Sequence, residues 1–135
     1  MRLIIQPDYS DVSKWAANYV ASAINQAASK SNKPFILGLP TGSSPLGIYH
    51  NLIELYNKGA VSFKNVITFN MDEYVGLDQH HEQSYYTFMW TNLFSQIDIL
   101  PENVNILNGN ADDLEEECAE YEAKMKTVGG VDLFL

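Results

Sequence analysis

The sequence predicts an α/β fold, a three-layer Rossmann-like arrangement in which a mainly parallel sheet carries helices on both faces. Short apolar runs of strand length alternate along the chain with longer segments whose apolar residues recur every three or four positions. The run 35–39 is apolar almost throughout, which is typical of a strand buried on both faces. A chain of 135 residues has the length of one domain, so we predict that 1–135 form a single unit.

The first half supplies two predicted strands and two predicted helices. Residues 3–5 are Leu-Ile-Ile and predict a first strand. Asp8 or Ser10 is suited to cap the following helix, because its side-chain oxygen can accept from a free amide N–H. After strand 35–39, a second helix has apolar positions from Leu46 to Tyr56 and ends near Gly59.

The second half continues the alternation. Strand 66–69 precedes a long connection over 76–84 and an aromatic helix that begins at Tyr85. Strand 104–107 and a turn at 108–110 follow. The last two predicted elements are an acidic helix over 114–126 and a strand over 131–135. Because ligand sites lie beyond strand tips, we expect this chain to be the N-terminal portion of a longer domain, truncated after its fifth strand.

The composition argues against several partners. The net charge is -9 and the pI is about 4.5, with a single arginine and seven scattered lysines, so we expect neither nucleic acid nor an anionic membrane surface as a partner. No run of about 18 apolar residues predicts a membrane span. Cys118 is the only cysteine, which excludes an internal disulfide framework. We therefore expect a soluble, cytoplasmic protein.

A first candidate site lies between the buried strand and the second helix. Thr41, Gly42, Ser43 and Ser44 follow the strand, with Ser44 suited as helix N-cap and Pro45 as first helical residue. Gly42 permits a tight turn, and free N–H groups with the hydroxyls can hold a phosphate. The alternative interpretation is an ordinary capped turn, and the loop lacks the lysine of a Walker motif.

A second candidate site follows strand 66–69, where Asp72, Glu73 and Tyr74 are consecutive. A carboxylate beside a second acid and partly removed from water is suited to act as a general base. In an extended backbone the two carboxylates point to opposite sides, so only one faces the pocket. The alternative interpretation is a solvated acidic loop.

Three histidines raise the question of a metal site. His80 and His81 are adjacent and therefore lack the four-residue spacing of a zinc-binding helix, and His50 is remote in sequence. We predict no metal. The histidines are better explained by the polarity of a loop or by a substrate-gating role of the long connection.

Four segments resemble one family. They are 37–45 (Leu-Gly-Leu-Pro-Thr-Gly-Ser-Ser-Pro), 68–77 (Thr-Phe-Asn-Met-Asp-Glu-Tyr-Val-Gly-Leu), 84–89 and 105–110. They are similar to the glucosamine-6-phosphate deaminase family, also called the glucosamine/galactosamine-6-phosphate isomerase family. The resemblance covers essentially the whole chain, and the 68–77 segment is its most specific part. One departure is the run from His81 to Ser84, where the family usually has His-Pro-Glu-Ser.

The resemblance implies conversion of glucosamine 6-phosphate to fructose 6-phosphate and ammonia, without a metal or organic cofactor. It implies that Asp72 moves the proton between C2 and C1 of the open sugar. The loop from Thr41 to Ser44 would hold the 6-phosphate, and Tyr85, with Glu73 and Tyr74, would line the pocket. The family's ring-opening Asp-Gly-His motif, its nearby Glu, and its phosphate-binding Arg and Lys are expected after residue 135.

The resemblance also implies a homo-oligomer with an allosteric site for N-acetylglucosamine 6-phosphate. Two other functions remain open at this point. A 6-phosphogluconolactonase-like hydrolase would share the fold and the phosphate turn but should lack the run Asn-Met-Asp-Glu-Tyr. A non-catalytic sugar-phosphate-binding domain would bind without turnover, although such domains normally accompany a basic DNA-binding module.

Overall fold

The computed structural model describes residues 3–135, and within them the sheet has four strands, all parallel, in the order β3-β2-β1-β4. The strands are β1 (Phe35–Leu39), β2 (Val66–Asn70), β3 (Val104–Asn105) and β4 (Leu133–Phe134). The α-helices are α1 (Tyr9–Lys30), α2 (Leu46–Asn57), α3 (Tyr85–Asn92) and α4 (Leu114–Thr127). Two 3₁₀ turns cover Phe94–Gln96 and Pro101–Asn103. The predicted parallel α/β fold class is confirmed.

β1 and β2 are the centre of the sheet. All five residues of β1 are buried, so helices and loops cover both faces of this strand. Its register with β2 runs from Phe35 opposite Val66 to Leu39 opposite Asn70. The two strands therefore end side by side, and the segments that follow them emerge at the same edge of the sheet.

α1 and α2 pack against each other next to this centre. α1 buries Ala17, Val20 and Ile24, which share one helix face. α2 buries Tyr49 and Leu52 in the same core. α4 contacts the sheet through an aromatic pair, Tyr121 and Phe69, whose ring centroids are 5.4 Å apart in an edge-to-face arrangement. Within residues 3–135, no helix combines the length and apolar character needed to cross a membrane.

The predicted strand at 3–5 is wrong. Leu3 and Ile5 are 76% and 81% exposed, and no described strand pairs with this segment. A strand is held by hydrogen bonds to a neighbour, so an apolar run without one stays irregular. The predicted strands 104–107 and 131–135 do form, as β3 and β4, but are shorter, because each pairs on one side only.

Candidate active site

The two segments singled out in the sequence meet at the carboxyl edge of the sheet. Residues 40–45 follow β1 and residues 71–75 follow β2, and the pairing of Leu39 with Asn70 sets their starting points side by side. The Asn70 side chain strengthens this junction, since its Nδ2 donates to the Leu39 carbonyl at 2.9 Å in a buried position. This edge is where open α/β sheets bind ligands.

The loop after β1 turns at Gly42, whose φ of 93° lies in the left-handed region that favours glycine. Ser43 and Ser44 are exposed, and Thr41 is half-buried. Tyr49, from the buried face of α2, donates a hydrogen bond to the Pro40 carbonyl at the start of the loop. The loop 41–44, called the cradle below, is therefore open to solvent on one side and anchored on the other.

The prediction that Ser44 caps α2 is wrong. The helix begins at Leu46 after Pro45, and no side chain of the preceding residues makes a capping hydrogen bond. The Gly47 N–H instead donates to the hydroxyl of Tyr9 at 2.8 Å. The same hydroxyl donates to the Ser44 carbonyl at 3.0 Å and lies 3.2 Å from that of Ser43. Tyr9 satisfies one of the helix's free N–H groups from 38 residues away, which no local pattern reveals.

The two adjacent carboxylates have different surroundings. Asp72 is exposed and makes no hydrogen bond with the described residues. Glu73 turns toward α3, where its two oxygens accept from the N–H groups of Tyr85 and Tyr86, both at 2.9 Å. It also accepts from the N–H of Tyr74 at 2.8 Å. Of the pair, only Asp72 has a carboxylate free to meet a ligand.

Tyr74 and Tyr85 stand together beside Asp72. Their ring centroids are 4.8 Å apart, and the Tyr85 hydroxyl donates to that of Tyr74 at 3.4 Å. This hydrogen bond is the main cause of a raised pKa at Tyr85; burial and the negative charge of Asp72 act in the same direction, and Thr41 acts against them. Tyr85 thus lies near both the cradle and Asp72.

The connection 76–84 is tied down at several points. The hydroxyls of Ser84 and Thr87 both donate to the Gln79 carbonyl. The Asn110 side chain donates to the Leu77 carbonyl at 2.6 Å, which joins this connection to the turn after β3. Gly109 packs so closely there that a Cβ atom would collide with the Tyr74 carbonyl oxygen. These contacts fix the loop that connects Tyr74 to Tyr85.

Sequence reasoning missed the residues that brace the strand ends. The Tyr121 hydroxyl lies 2.8 Å from the carbonyls of both Asn70 and Asn105, and burial raises the pKa of this phenol. Asn105 repeats the role of Asn70, donating to the Thr68 carbonyl on the next strand at 3.0 Å. Asn70 directly follows the predicted strand 66–69 and Asn105 lies within the predicted strand 104–107, and an asparagine in or beside an apolar run was the one signal available.

No three His, Cys, Asp or Glu side chains within residues 3–135 come together as metal ligands. His50 pairs with Glu54 along α2 at 3.3 Å. His81 accepts from the Gln83 N–H at 3.1 Å and so shapes its own loop.

Comparison with known proteins shows the family of this chain. A family model described as glucosamine-6-phosphate isomerases/6-phosphogluconolactonase matches residues 7–135. The chain belongs to this family. The resemblance inferred from the segments 37–45 and 68–77 is thereby confirmed.

Curated relatives similar to this chain are about twice as long as it is. A glucosamine-6-phosphate deaminase of Parabacteroides distasonis is 72% identical over 135 residues, which are all of this chain and 50% of that protein. One of Bacteroides fragilis is 67% identical over the same extent. The chain thus spans about half the length of the curated relatives it matches.

Solved structures extend the comparison. A structure described as a monomeric glucosamine-6-phosphate deaminase superposes with a TM-score of 0.89 at 38% identity, over 98% of this chain and 53% of that one. A 6-phosphogluconolactonase of Thermotoga maritima superposes with a TM-score of 0.73 at 19% identity, over 98% and 56%. The second likeness concerns the fold alone.

Proposed function

We propose that this chain supplies the base and the phosphate cradle of an enzyme that converts glucosamine 6-phosphate to fructose 6-phosphate and ammonia. One observation chiefly supports the proposal: the exposed Asp72 carboxylate and the open cradle follow adjacent strands whose ends are in register. The names of the relatives at 72% and 67% identity support the same substrate.

Asp72 acts as the base in this proposal. It takes the proton from C2 of the open-chain amino sugar and returns it to C1. C1 is reduced as C2 is oxidised, so the step needs no external oxidant or reductant. Water then adds to the resulting C2 imine, the C–N bond breaks, and ammonia leaves with the ketose as the other product. The free carboxylate of Asp72, unlike that of Glu73, is available for this transfer.

The cradle holds the 6-phosphate of the sugar. N–H groups and hydroxyls of Thr41, Gly42, Ser43 and Ser44 are donors for its oxygens. Tyr85 and Tyr74 line the pocket beside the sugar, since their paired rings stand near both the cradle and Asp72. Glu73 serves the pocket indirectly, by holding the start of α3.

The test is Asp72→Asn in the native protein. The amide cannot accept the C2 proton, so we expect exchange of that proton with solvent deuterium to fall by about 10²-fold or more. Binding of the sugar phosphate should remain within a few-fold of the parent. Asp112→Asn is the matched control, because Asp112 is exposed and outside the site. Exchange at the parental rate in Asp72→Asn would exclude Asp72 as the base.

The product separates this proposal from the lactonase alternative. Ammonia released from glucosamine 6-phosphate supports the deaminase, whereas acid released from 6-phosphogluconolactone without ammonia would overturn it. We extend the proposal to a cytoplasmic homo-oligomer with an allosteric site for N-acetylglucosamine 6-phosphate, on the family resemblance alone. The similar deaminase described as monomeric makes the native mass a necessary measurement.

A further inference from the structure

Two tyrosines from outside the cradle hold its backbone carbonyls. Tyr49 donates to the Pro40 carbonyl from the core side of α2. Tyr9, the first residue of α1, places its hydroxyl 3.2 Å and 3.0 Å from the carbonyls of Ser43 and Ser44, which share its one proton. Both ends of the cradle are therefore fastened by phenolic hydroxyls.

This fastening determines which way the amide groups face. In a planar trans peptide the carbonyl of one residue and the N–H of the next point to opposite sides, and this chain has no cis peptide within residues 3–135. With the carbonyls of Pro40 and Ser43 turned toward the tyrosines, the N–H groups of Thr41 and Ser44 point away from them. Neither N–H group donates to a described residue.

Tyr9 differs from Tyr49 in a second hydrogen bond, because its oxygen also accepts from the Gly47 N–H at 2.8 Å. One atom thus links the end of the cradle to the first turn of α2. The tyrosine itself is fixed at the start of α1, where Asp8 caps the helix by accepting from the Asp11 N–H at 2.9 Å. Tyr9 is 55% exposed, so core packing does not explain its place.

We propose that Tyr9 is a positioning residue for phosphate binding, whose hydroxyl keeps the cradle in the conformation that presents its N–H groups to a phosphate. The inference rests on the proposed function for its choice of substrate. Tyr9 acts through the backbone of Ser43, Ser44 and Gly47. This role requires no contact between Tyr9 and the sugar.

The test compares Tyr9→Phe with Tyr19→Phe in the native protein. Tyr19 lies on the same helix, is 48% exposed, stacks on Trp15, and makes no hydrogen bond with the described residues. We expect Tyr9→Phe to raise both the KM for glucosamine 6-phosphate and the Kd of inorganic phosphate about fivefold, with kcat within about twofold. Tyr19→Phe should match the parent in all three quantities.

A rescue experiment separates positioning from simple destabilisation. p-Aminophenylalanine at position 9 keeps a hydrogen-bond donor at the end of the ring, so it should restore the phosphate affinity that Tyr9→Phe loses. If Tyr9 acted only by packing, the added donor would restore nothing. It also serves as the decisive variant if Tyr9→Phe fails to fold. Equal phosphate affinity in the parent and the Tyr9→Phe protein, or a loss confined to kcat, would overturn the inference.

The assignment of Tyr9 is tested separately from the proposed function. If the native protein releases no ammonia from glucosamine 6-phosphate, the proposed function fails, and the Kd of inorganic phosphate alone decides the role of Tyr9. Weaker phosphate binding in Tyr9→Phe than in Tyr19→Phe then supports the inference. Equal binding in the two variants overturns it.

Discussion

At the scale of single residues, Asp72 and Glu73 show how neighbouring carboxylates acquire different roles. Their surroundings differ although they are adjacent in the chain. Glu73 meets the N-terminus of α3, where free N–H groups and the helix dipole favour a negative charge. Asp72 meets no described partner. Asp72, whose carboxylate makes no hydrogen bond with the described residues, is the one available to react. Glu73 stabilises the structure around it.

Glu73→Gln tests that division. The amide retains one acceptor oxygen but turns an NH₂ group toward backbone donors, so we expect a loss of about 1–3 kcal/mol in unfolding free energy. kcat/KM should also fall, since the start of α3 and the Tyr85 ring lose their anchor. Urea unfolding and steady-state kinetics measure the two effects. Glu82→Gln, at an exposed position, is the control; identical behaviour of the two variants would contradict the anchoring role.

Some of these roles could be predicted from the sequence and some could not. The sequence predicts that only one of Asp72 and Glu73 faces the pocket if the backbone stays extended, which is a local argument. The partners of Glu73 lie 12 and 13 residues ahead, and those of Tyr9 up to 38 residues ahead. Local preference favours Ser44 as the N-cap of α2, but the distant Tyr9 hydroxyl accepts from the helix N–H group instead. Local sequence patterns do not predict hydrogen bonds between residues that are distant in the chain.

At the scale of elements, the contact of α1 with α2 sets the position of the cradle. Gly47 lies at this contact, where a Cβ atom would collide with Ser13 Oγ and lie 2.9 Å from Tyr9 Cε1. Ser13 is buried, and its hydroxyl has no hydrogen-bond partner among the described residues. The close approach of the helices brings the Tyr9 hydroxyl within reach of the loop.

Gly47→Ala should therefore force the helices apart. We expect a loss of about 1–3 kcal/mol in unfolding free energy, typical of overpacking. Ser13→Ala alone should be neutral or slightly stabilising, because it removes a buried hydroxyl without a partner. In the double variant the loss should be partly recovered, and a double-mutant cycle by urea unfolding measures the coupling. Strict additivity would show that the Ser13 contact does not limit the packing.

Strands with a partner on both sides were predicted more accurately than strands with a partner on one side. β1 was predicted with its observed bounds and β2 to within one residue, because central strands are continuous apolar runs. β3 and β4 each have one partner, and their ends lack the second ladder that would keep an apolar residue in strand conformation. The segment 3–5 has the composition of a strand but no described partner, so a strand was wrongly predicted there.

At the scale of the whole molecule, buried phenols tie the helices to the sheet edge. Tyr49 on α2 and Tyr121 on α4 bond backbone carbonyls at the strand ends or just beyond them. Burial raises the pKa of both phenols above the ordinary value, which is about 10. Above that pH the folded chain keeps protons that the unfolded chain releases.

Stability should consequently fall as the pH rises above about 10, because the unfolded state then binds fewer protons than the native state. Each phenol contributes a slope of up to about 1.4 kcal/mol per pH unit in this range. Tyr49→Phe should be less stable at neutral pH but lose stability less steeply with alkali. Urea unfolding of both proteins between pH 9 and about 11 measures this. Parallel curves would contradict a protonated Tyr49 in the fold.

The short span from Asn70 to Glu73 is held at both ends, by the β2 ladder and by the amides of α3. One inserted residue there would displace the Asp72 carboxylate from the position that these two anchors set. Residues 58–60 are exposed and begin the connection 58–65, which joins α2 to β2 at the far edge of the sheet. Insertions and deletions in this architecture should therefore accumulate at that far edge and be absent between the end of β2 and Asp72.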